Sequence, residues 1–276
     1  MTNFSDDADN SIQTKPAVLC FSGHDPSGGA GIQADIEAIT AQGVQAMTVV
    51  TALTCQDTRH VKSFQSVDAL QLSRQAETLL NDMPVHAFKI GMTADVSVVK
   101  AIHSIIKKHE EIPVIFDPVL ASGGGDLLAT RELINAIDIY LLPYCHLITP
   151  NIPEALKLLD GSEADEKNVT TAASFLLNAG CEHVLITGTH SQSEEIEHQL
   201  YHAHEAMQTF KNKRLPHEYH GSGCTLASSI AAFIARGEET NQAIKLGLDY
   251  TFASLQHAQA PGHGQYLPDR LYQLNK

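Results

Sequence analysis

No stretch of this 276-residue chain approaches the eighteen or so apolar residues needed to span a bilayer. Positive charge is also scarce: 18 Lys and Arg stand against 32 Asp and Glu, for a net charge of −14. That balance argues against nucleic acid or an anionic membrane as a partner. The five cysteines (20, 55, 145, 181 and 224) are odd in number and form no C-x-x-C pair. They read as free thiols of a reducing compartment, so a cytoplasmic protein is expected. Cys20, Cys55, Cys145 and Cys181 lie in apolar runs and read as inert core thiols. Fifteen histidines include no H-E-x-x-H pair, and no zinc site is expected. His198, His202 and His204 read as surface residues. Residues 1–15 lack the basic start and apolar core of a signal peptide, and read as a disordered acidic tail. No Ser/Pro/Gly-rich linker and no internal repeat divides the rest, so residues 16–276 are expected to form a single domain.

What is present is alternation. Strand-like apolar runs fall at Val18–Ser22, Ala46–Thr51, Ala87–Ile90, Val114–Asp117, His146–Thr149 and Val184–Thr187. Helical spacing covers Ile32–Ala41, Asp68–Asn81, Val96–Lys108, Ile152–Leu159, Val169–Asn178, Thr225–Arg236 and Asn241–His257. Ile196–His202 and Ala206–Lys211 read as an antiparallel pair at the sheet edge. This order predicts an α/β fold with a mostly parallel sheet covered on both faces. Ligands of such sheets gather at the carboxyl ends of the strands.

Two glycine-rich helix starts stand out. One is Gly23-His-Asp25-Pro-Ser-Gly-Gly-Ala30-Gly-Ile-Gln-Ala-Asp35; the other is His220-Gly221-Ser222-Gly223-Cys224-Thr225. Neither fits the dinucleotide G-x-G-x-x-G or the P-loop pattern, so a nicotinamide enzyme or P-loop protein is not supported. A glycine turn opening a helix points backbone N–H groups, and the positive end of the helix dipole, at one anion. Cys224 sits where that positive end is expected to lower its pKa. Asp117, Asn151 and Glu154 follow strands and are oxygen donors of the kind that hydrated Mg²⁺ prefers. Thr187 and Gly188 end another strand. Asn151 also suits a plain helix cap, with Pro153 in the first turn.

Together these segments resemble the hydroxymethylpyrimidine/phosphomethylpyrimidine kinase family of thiamine biosynthesis, in the ribokinase-like superfamily. The resemblance runs from about Ala17 to Gly264. Besides the two glycine segments it is carried by Val50-Thr-Ala-Leu-Thr-Cys-Gln56-Asp-Thr58, Lys89-Ile-Gly-Met92, Asp117-Pro-Val and Thr149-Pro-Asn-Ile-Pro-Glu154. It implies a three-layer αβα fold and ATP-dependent phosphorylation of a pyrimidine hydroxymethyl group, with a second phosphate added by many members. It implies that Gln56 reads the pyrimidine edge, that Asp35 and Met92 line the substrate pocket, and that Gly23, Asp25 and Ala30 shape it. Cys224 would serve as the base, and the N–H groups of Gly221, Ser222 and Gly223 would receive the moving phosphoryl. Asp117, Asn151, Glu154, Thr187, Gly188 and His220 would surround ATP, with Mg²⁺ held through water by Asp117 and Glu154. A homodimer is expected on the same ground.

The chain departs from the commonest family pattern. Asp117-Pro-Val-Leu-Ala-Ser-Gly-Gly-Gly125-Asp126 has no lysine, Thr187 replaces a lysine, and Tyr219 replaces a threonine. Lys211, Lys213 and Arg214 are the candidates to restore positive charge at the ATP phosphates. Gly123-Gly124-Gly125 has the composition of a movable lid. The alternatives are a pyridoxal or pyridoxine kinase of the same superfamily, and a pyrimidine-binding protein with a decayed ATP site.

Overall fold

A computed structural model describes residues 15–121, 128–159, 166–188, 194–203 and 205–275. The expected tail, the Gly123–Gly125 stretch and His204 lie outside the described residues. Six strands run parallel in the centre of one sheet: β1 (Ala17–His24), β2 (Gln45–Gln56), β4 (Ala87–Ile90), β5 (Val114–Phe116), β6 (Leu147–Ile148) and β7 (His183–Ile186). Three antiparallel strands extend it: β3 (Val61–Ser66) on one edge, β8 (Glu195–His202) and β9 (Gln208–Lys213) on the other. The spatial order is β3-β2-β1-β4-β5-β6-β7-β8-β9.

Period-2 alternation in β1 sends its side chains into two separate cores. Ala17, Leu19 and Phe21 join a core with α2 (Ala69–Asp82), α3 (Val96–Ile106), α4 (Arg131–Tyr140), α5 (Ile152–Leu159) and α6 (Glu166–Asn178). Val18 and Cys20 face a second core built with α1 (Gly31–Ala41), α7 (Ser222–Ala235) and α8 (Thr240–Gln256). The result is the expected three-layer αβα arrangement. Several helix starts carry the caps their sequences offer: Asp68 accepts from the Gln71 N–H at 2.8 Å, and Asp95 from that of Val98 at 3.0 Å. Among the described residues no helix is long and apolar enough to cross a membrane.

One strand and one α-helix were not foreseen. β3 is exposed along most of its length, so it carries no apolar run to announce it. In α4, only Leu133, Ala136 and Ile137 of ten residues are buried. Two surface assignments also need correction. His198 is 7% exposed, because alternate residues of β8 turn inward, as Leu200 also does. His202 is half-buried against the His183 ring at 4.7 Å. In turn Cys55, expected in the core, is exposed near the free end of β2, while Cys20, Cys145 and Cys181 are buried.

Candidate active site

The two glycine segments meet at the carboxyl edge of the sheet. After β1 the chain turns at Asp25, which is 1% exposed. Its Oδ1 accepts from the Ser27 N–H (2.8 Å) and the Ser27 hydroxyl (2.7 Å); its Oδ2 accepts from the Ala30 N–H at 2.9 Å. One carboxylate thus shapes the whole turn. Gly28 and Gly31 adopt φ of +76° and +60°, which favour glycine. At Gly31 a side chain would also strike the Gly23 carbonyl.

The second turn leads into α7. Its N-cap is Gly221, at φ +83°, where a side chain would collide with the Gly29 carbonyl. The glycines of one turn therefore exist to let the other approach. His220 Nε2 lies 2.8 Å from Asp25 Oδ2, joining the turns a second time. A third link comes from the C-terminal segment. Arg270 is 2% exposed; its Nε donates to Thr225 Oγ1 (2.8 Å) and its Nη1 to Glu37 (3.1 Å) and the Gly28 carbonyl (3.3 Å). Its Nη2 donates to the Gly29 carbonyl. Burial raises the pKa of Asp25, but hydrogen bonds from His220 and Ser27 outweigh it and hold the group at about 2.

A cavity of about 740 Å³ opens above these turns, the size of a small-ligand site. Gly23, Asp25, Ala30, Gln56, Met92, Asp117, Asn151, Glu154, Thr187, His220, Gly221, Ser222, Gly223 and Cys224 all line it. At one end Gln56 stands on the last position of β2, its Nε2 donating to Thr54 Oγ1 at 2.8 Å. A side chain on Gly23 would press on Met92 Sδ at 3.2 Å, so this glycine sets the room beside the methionine. Leu226, Leu248, Phe252, Leu255, Ile196 and Leu215 supply apolar surface to its lining.

Two expected lining residues lie elsewhere. Asp35 is fully buried under the cavity floor, where Oδ1 meets Lys89 Nζ at 2.8 Å and accepts from Ser228 Oγ at 2.6 Å. It faces inward because α1 packs against α7 along that side. Gly188 does not line the cavity; it lets the Glu197 backbone of β8 pass, where a side chain would collide. Conversely, Lys89 was quoted only as part of a motif, yet it does line the cavity. Its Nζ bonds Ser22 Oγ at 3.1 Å as well as Asp35. Burial opposes its charge, but Asp35, Cys224 and Asp117 hold its pKa above the ordinary lysine range. A basic residue within β4 was the available signal: a buried parallel strand has no reason to carry an ammonium group without a partner.

Cys224 is the third residue of α7, partly exposed to the cavity. Its thiol is pushed up to about 12 by burial first and by the Asp117 carboxylate second, against Lys89 and a backbone hydrogen bond from Gly31. The expected lowering by the helix end does not win, because burial and then the nearby Asp117 carboxylate outweigh a partial dipole charge. At that value the thiol is neutral near pH 7, and its interaction with Asp117 favours the ionised carboxylate. Asp117 is itself raised, chiefly by burial, with Lys89 opposing. Asn151 and Glu154 form a reciprocal cap: the Glu154 N–H donates to Asn151 Oδ1 at 2.9 Å, and the Asn151 N–H to Glu154 Oε2 at 3.0 Å. Burial, then Asp117, lifts Glu154 to about 8. Asp117 Oδ2 is buried with no hydrogen-bond partner. Two clustered carboxyls, one with an unmet oxygen, are a donor set suited to a hard divalent cation such as Mg²⁺.

Of the cations proposed to replace the usual lysines, Lys213 and Arg214 line the cavity. Lys211 does not; it is engaged by Glu197 (2.8 Å) and Glu195 (3.3 Å) on the neighbouring strand. Lys157, on α5 one turn beyond Glu154, lines the cavity and was missed.

Several known proteins are similar to this chain over most of its length. A hydroxymethylpyrimidine/phosphomethylpyrimidine kinase of Staphylococcus aureus (strain MSSA476) is 32% identical over 254 residues, covering 91% of this chain and 92% of the relative. The crystal structure of phosphomethylpyrimidine kinase from Clostridium difficile 630 matches with a TM-score of 0.76 and 31% identity, over 87% of this chain and all of that one. An ADP complex of Bacillus subtilis pyridoxal kinase matches with a TM-score of 0.85 and 26% identity, over 94% of this chain and all of that one. The family model for phosphomethylpyrimidine kinase matches residues 25–269, and the chain belongs to that family.

Proposed function

We propose that this chain transfers the γ-phosphoryl group of ATP to the hydroxymethyl group of 4-amino-5-hydroxymethyl-2-methylpyrimidine and to the phosphate of the resulting monophosphate. The observation that carries this reading is the seating of Gln56 and Met92 in one cavity with Cys224 and the two locked glycine turns. Gln56 both donates and accepts, as an aminopyrimidine edge requires. The apolar lining suits the adenine. The N–H groups at the start of α7 receive the transferring phosphoryl, and Lys213, Arg214 and Lys157 supply charge near the nucleotide. Mg²⁺ bound by Asp117 and Glu154 would neutralise phosphate charge; it fits the unmet carboxylate oxygen described above.

Phosphoryl transfer asks mainly for positioning and charge neutralisation, so the substrate proton leaves late. Cys224 is the group that takes it. For that, its own proton must depart first, and Asp117 is the partner in place to receive it. The cysteine and aspartate thus act as a pair, with Lys89 beneath them stabilising whichever member is anionic.

The TM-score of 0.85 to a pyridoxal kinase keeps vitamin B6 phosphorylation as a second reading. A coupled ATP-consumption assay with the pyrimidine, its monophosphate and pyridoxal, each with Mg²⁺, separates them by kcat/KM. Pyridoxal preference overturns the first reading, and pyrimidine binding without turnover means a sensor with a decayed ATP site. A homodimer belongs to the same proposal. Leu53 and Phe64, on opposite faces of the β2–β3 ribbon, are 56% and 36% exposed, so each face offers some apolar surface for it. Sedimentation equilibrium tests that part.

A further inference from the structure

At the opposite end of the sheet, four polar side chains that the kinase reaction does not use are drawn together. His146 immediately precedes β6, and Glu182 and His183 stand at the start of β7. The His183 N–H bonds the His146 carbonyl at 3.1 Å, which fixes the two residues side by side. Their rings lie 5.1 Å apart. One donor atom from each of His146, Glu182 and His183 lies within 4.8 Å of the others. His202, the register partner of His183 on β8, adds a third imidazole, 4.7 Å from the His183 ring. None of these residues lines the active-site cavity.

We propose that His146, Glu182 and His183 form a binding site for a divalent transition-metal ion of the zinc class, with His202 or water completing four-coordination. Two imidazoles and a carboxylate are a donor set for that class rather than for Mg²⁺ or Ca²⁺. His146 Nδ1 already lies 2.8 Å from Glu182 Oε2, and its Nε2 lies 2.9 Å from Thr240 Oγ1 at the start of α8. The threonine orients the ring from outside, as metal-bound histidines require, and leaves Nδ1 to face the carboxylate. An ion entering there takes the Nδ1 lone pair of the neutral ring, whose single proton then sits on Nε2 and is donated to Thr240 Oγ1. His183 Nδ1 is buried with no hydrogen-bond partner, a cost that goes unexplained if the ring only fills space. Tetrahedral coordination brings donors to roughly 3.3 Å from one another. The histidine–glutamate pair is already closer, and Glu182, 63% exposed, is free to adjust. The ion would tie β6, β7 and α8 together, and through His202 the strand whose residues Ile196 and His198 wall the cavity.

The test is titration of the full chain with Co²⁺, read by its visible absorption, followed by displacement with Zn²⁺. The expected result is one equivalent bound, with no thiolate charge-transfer band. His183→Ala and Glu182→Gln should each weaken binding by at least about tenfold. Cys224→Ser and Asp117→Asn should leave it unchanged, which separates this site from the catalytic cavity. Glu182 is exposed, so its amide variant keeps the fold if the His183 variant does not; circular dichroism verifies both. Zn²⁺ should also raise the Tm of the parent chain and not that of Glu182→Gln. The proposal is overturned by an absence of saturable binding, by binding indifferent to both variants, or by binding that Cys224→Ser or Asp117→Asn removes.

Discussion

His220 Nε2 and Asp25 Oδ2, 2.8 Å apart and 195 residues apart in sequence, couple the loop after the first strand to the start of the phosphoryl-binding helix. Asp25 has four hydrogen-bond contacts: both oxygens serve its own turn, and Oδ2 also serves the other. Replacing it by Asn keeps the shape but loses an acceptor. Asp25→Asn is expected to cost about 1–3 kcal/mol, read by urea unfolding at pH 7. The pH dependence has a definite sign. The folded pKa of about 2 lies below the ordinary 3.8, so the contribution is complete above the unfolded value and disappears as pH falls from about 4 to about 2. The stability gap between parent and variant should narrow across that window. A gap that stays constant would remove the charge of Asp25 from the explanation.

Lys89 and Asp35 form a fully buried pair with Ser22 and Ser228 as its only other side-chain hydrogen-bond partners among the described residues. Removing one partner leaves the other charged and dry. Lys89→Met is expected to destabilise by about 3–5 kcal/mol, with Lys89→Met/Asp35→Leu recovering part of the loss. Denaturant titration of the two single variants and the double variant checks this. If the effects simply add, the pair is not coupled.

Much of this could be read from the sequence, for physical reasons. The period-2 and 3.6-residue patterns located the buried strands and helices because burial on a sheet face or helix stripe is what the patterns record. The glycine turns and the Asn151–Glu154 cap were visible because they are local: both partners sit within a few residues. Distant pairings were not. Arg270 clamps the Gly28–Gly29 turn, more than two hundred residues away, and no spacing near Arg270 signals it. Asp35 looked like a pocket residue because its motif is, and only the packing of α1 on α7 turned it toward Lys89. The Cys224 pKa was misjudged for the same reason: the helix end is local, whereas burial and then Asp117 come from the packing of distant elements.

That thiol gives a direct chemical prediction. A pKa of about 12 leaves roughly one thiolate in ten thousand at pH 8. Cys224 should therefore resist alkylation by iodoacetamide, while exposed Cys55 reacts at an ordinary rate. Peptide mapping after a timed exposure distinguishes them. Asp117→Asn removes the second-largest cause of the rise and should speed labelling of Cys224. Rapid modification of Cys224 in the parent chain would mean that the helix end prevails after all.

Glu154 offers a second pH test, of opposite sign to Asp25. Its folded pKa of about 8 lies above the ordinary 4.5, so the folded state keeps a proton that the unfolded chain gives up. Stability should fall as pH rises from about 4.5 to about 8 and level off beyond. Glu154→Gln, which keeps most of the cap and cannot ionise, should flatten that fall. Parallel urea titrations from pH 5 to pH 9 suffice. Equal slopes in the two proteins would place the proton elsewhere.

Catalysis and recognition should separate between Cys224 and Gln56. Cys224→Ser keeps the size of the side chain but holds its proton more tightly, so kcat should fall about a hundredfold or more with KM for the pyrimidine nearly unchanged. Gln56→Leu strands the ring nitrogens instead. It should raise that KM by about tenfold or more, at 1–3 kcal/mol for an unmet polar group, with a smaller effect on kcat. Steady-state kinetics on both variants decides. Unchanged turnover in Cys224→Ser would hand the proton to Asp117 alone, and an unchanged KM in Gln56→Leu would move pyrimidine recognition to the backbone around Gly23 and Met92.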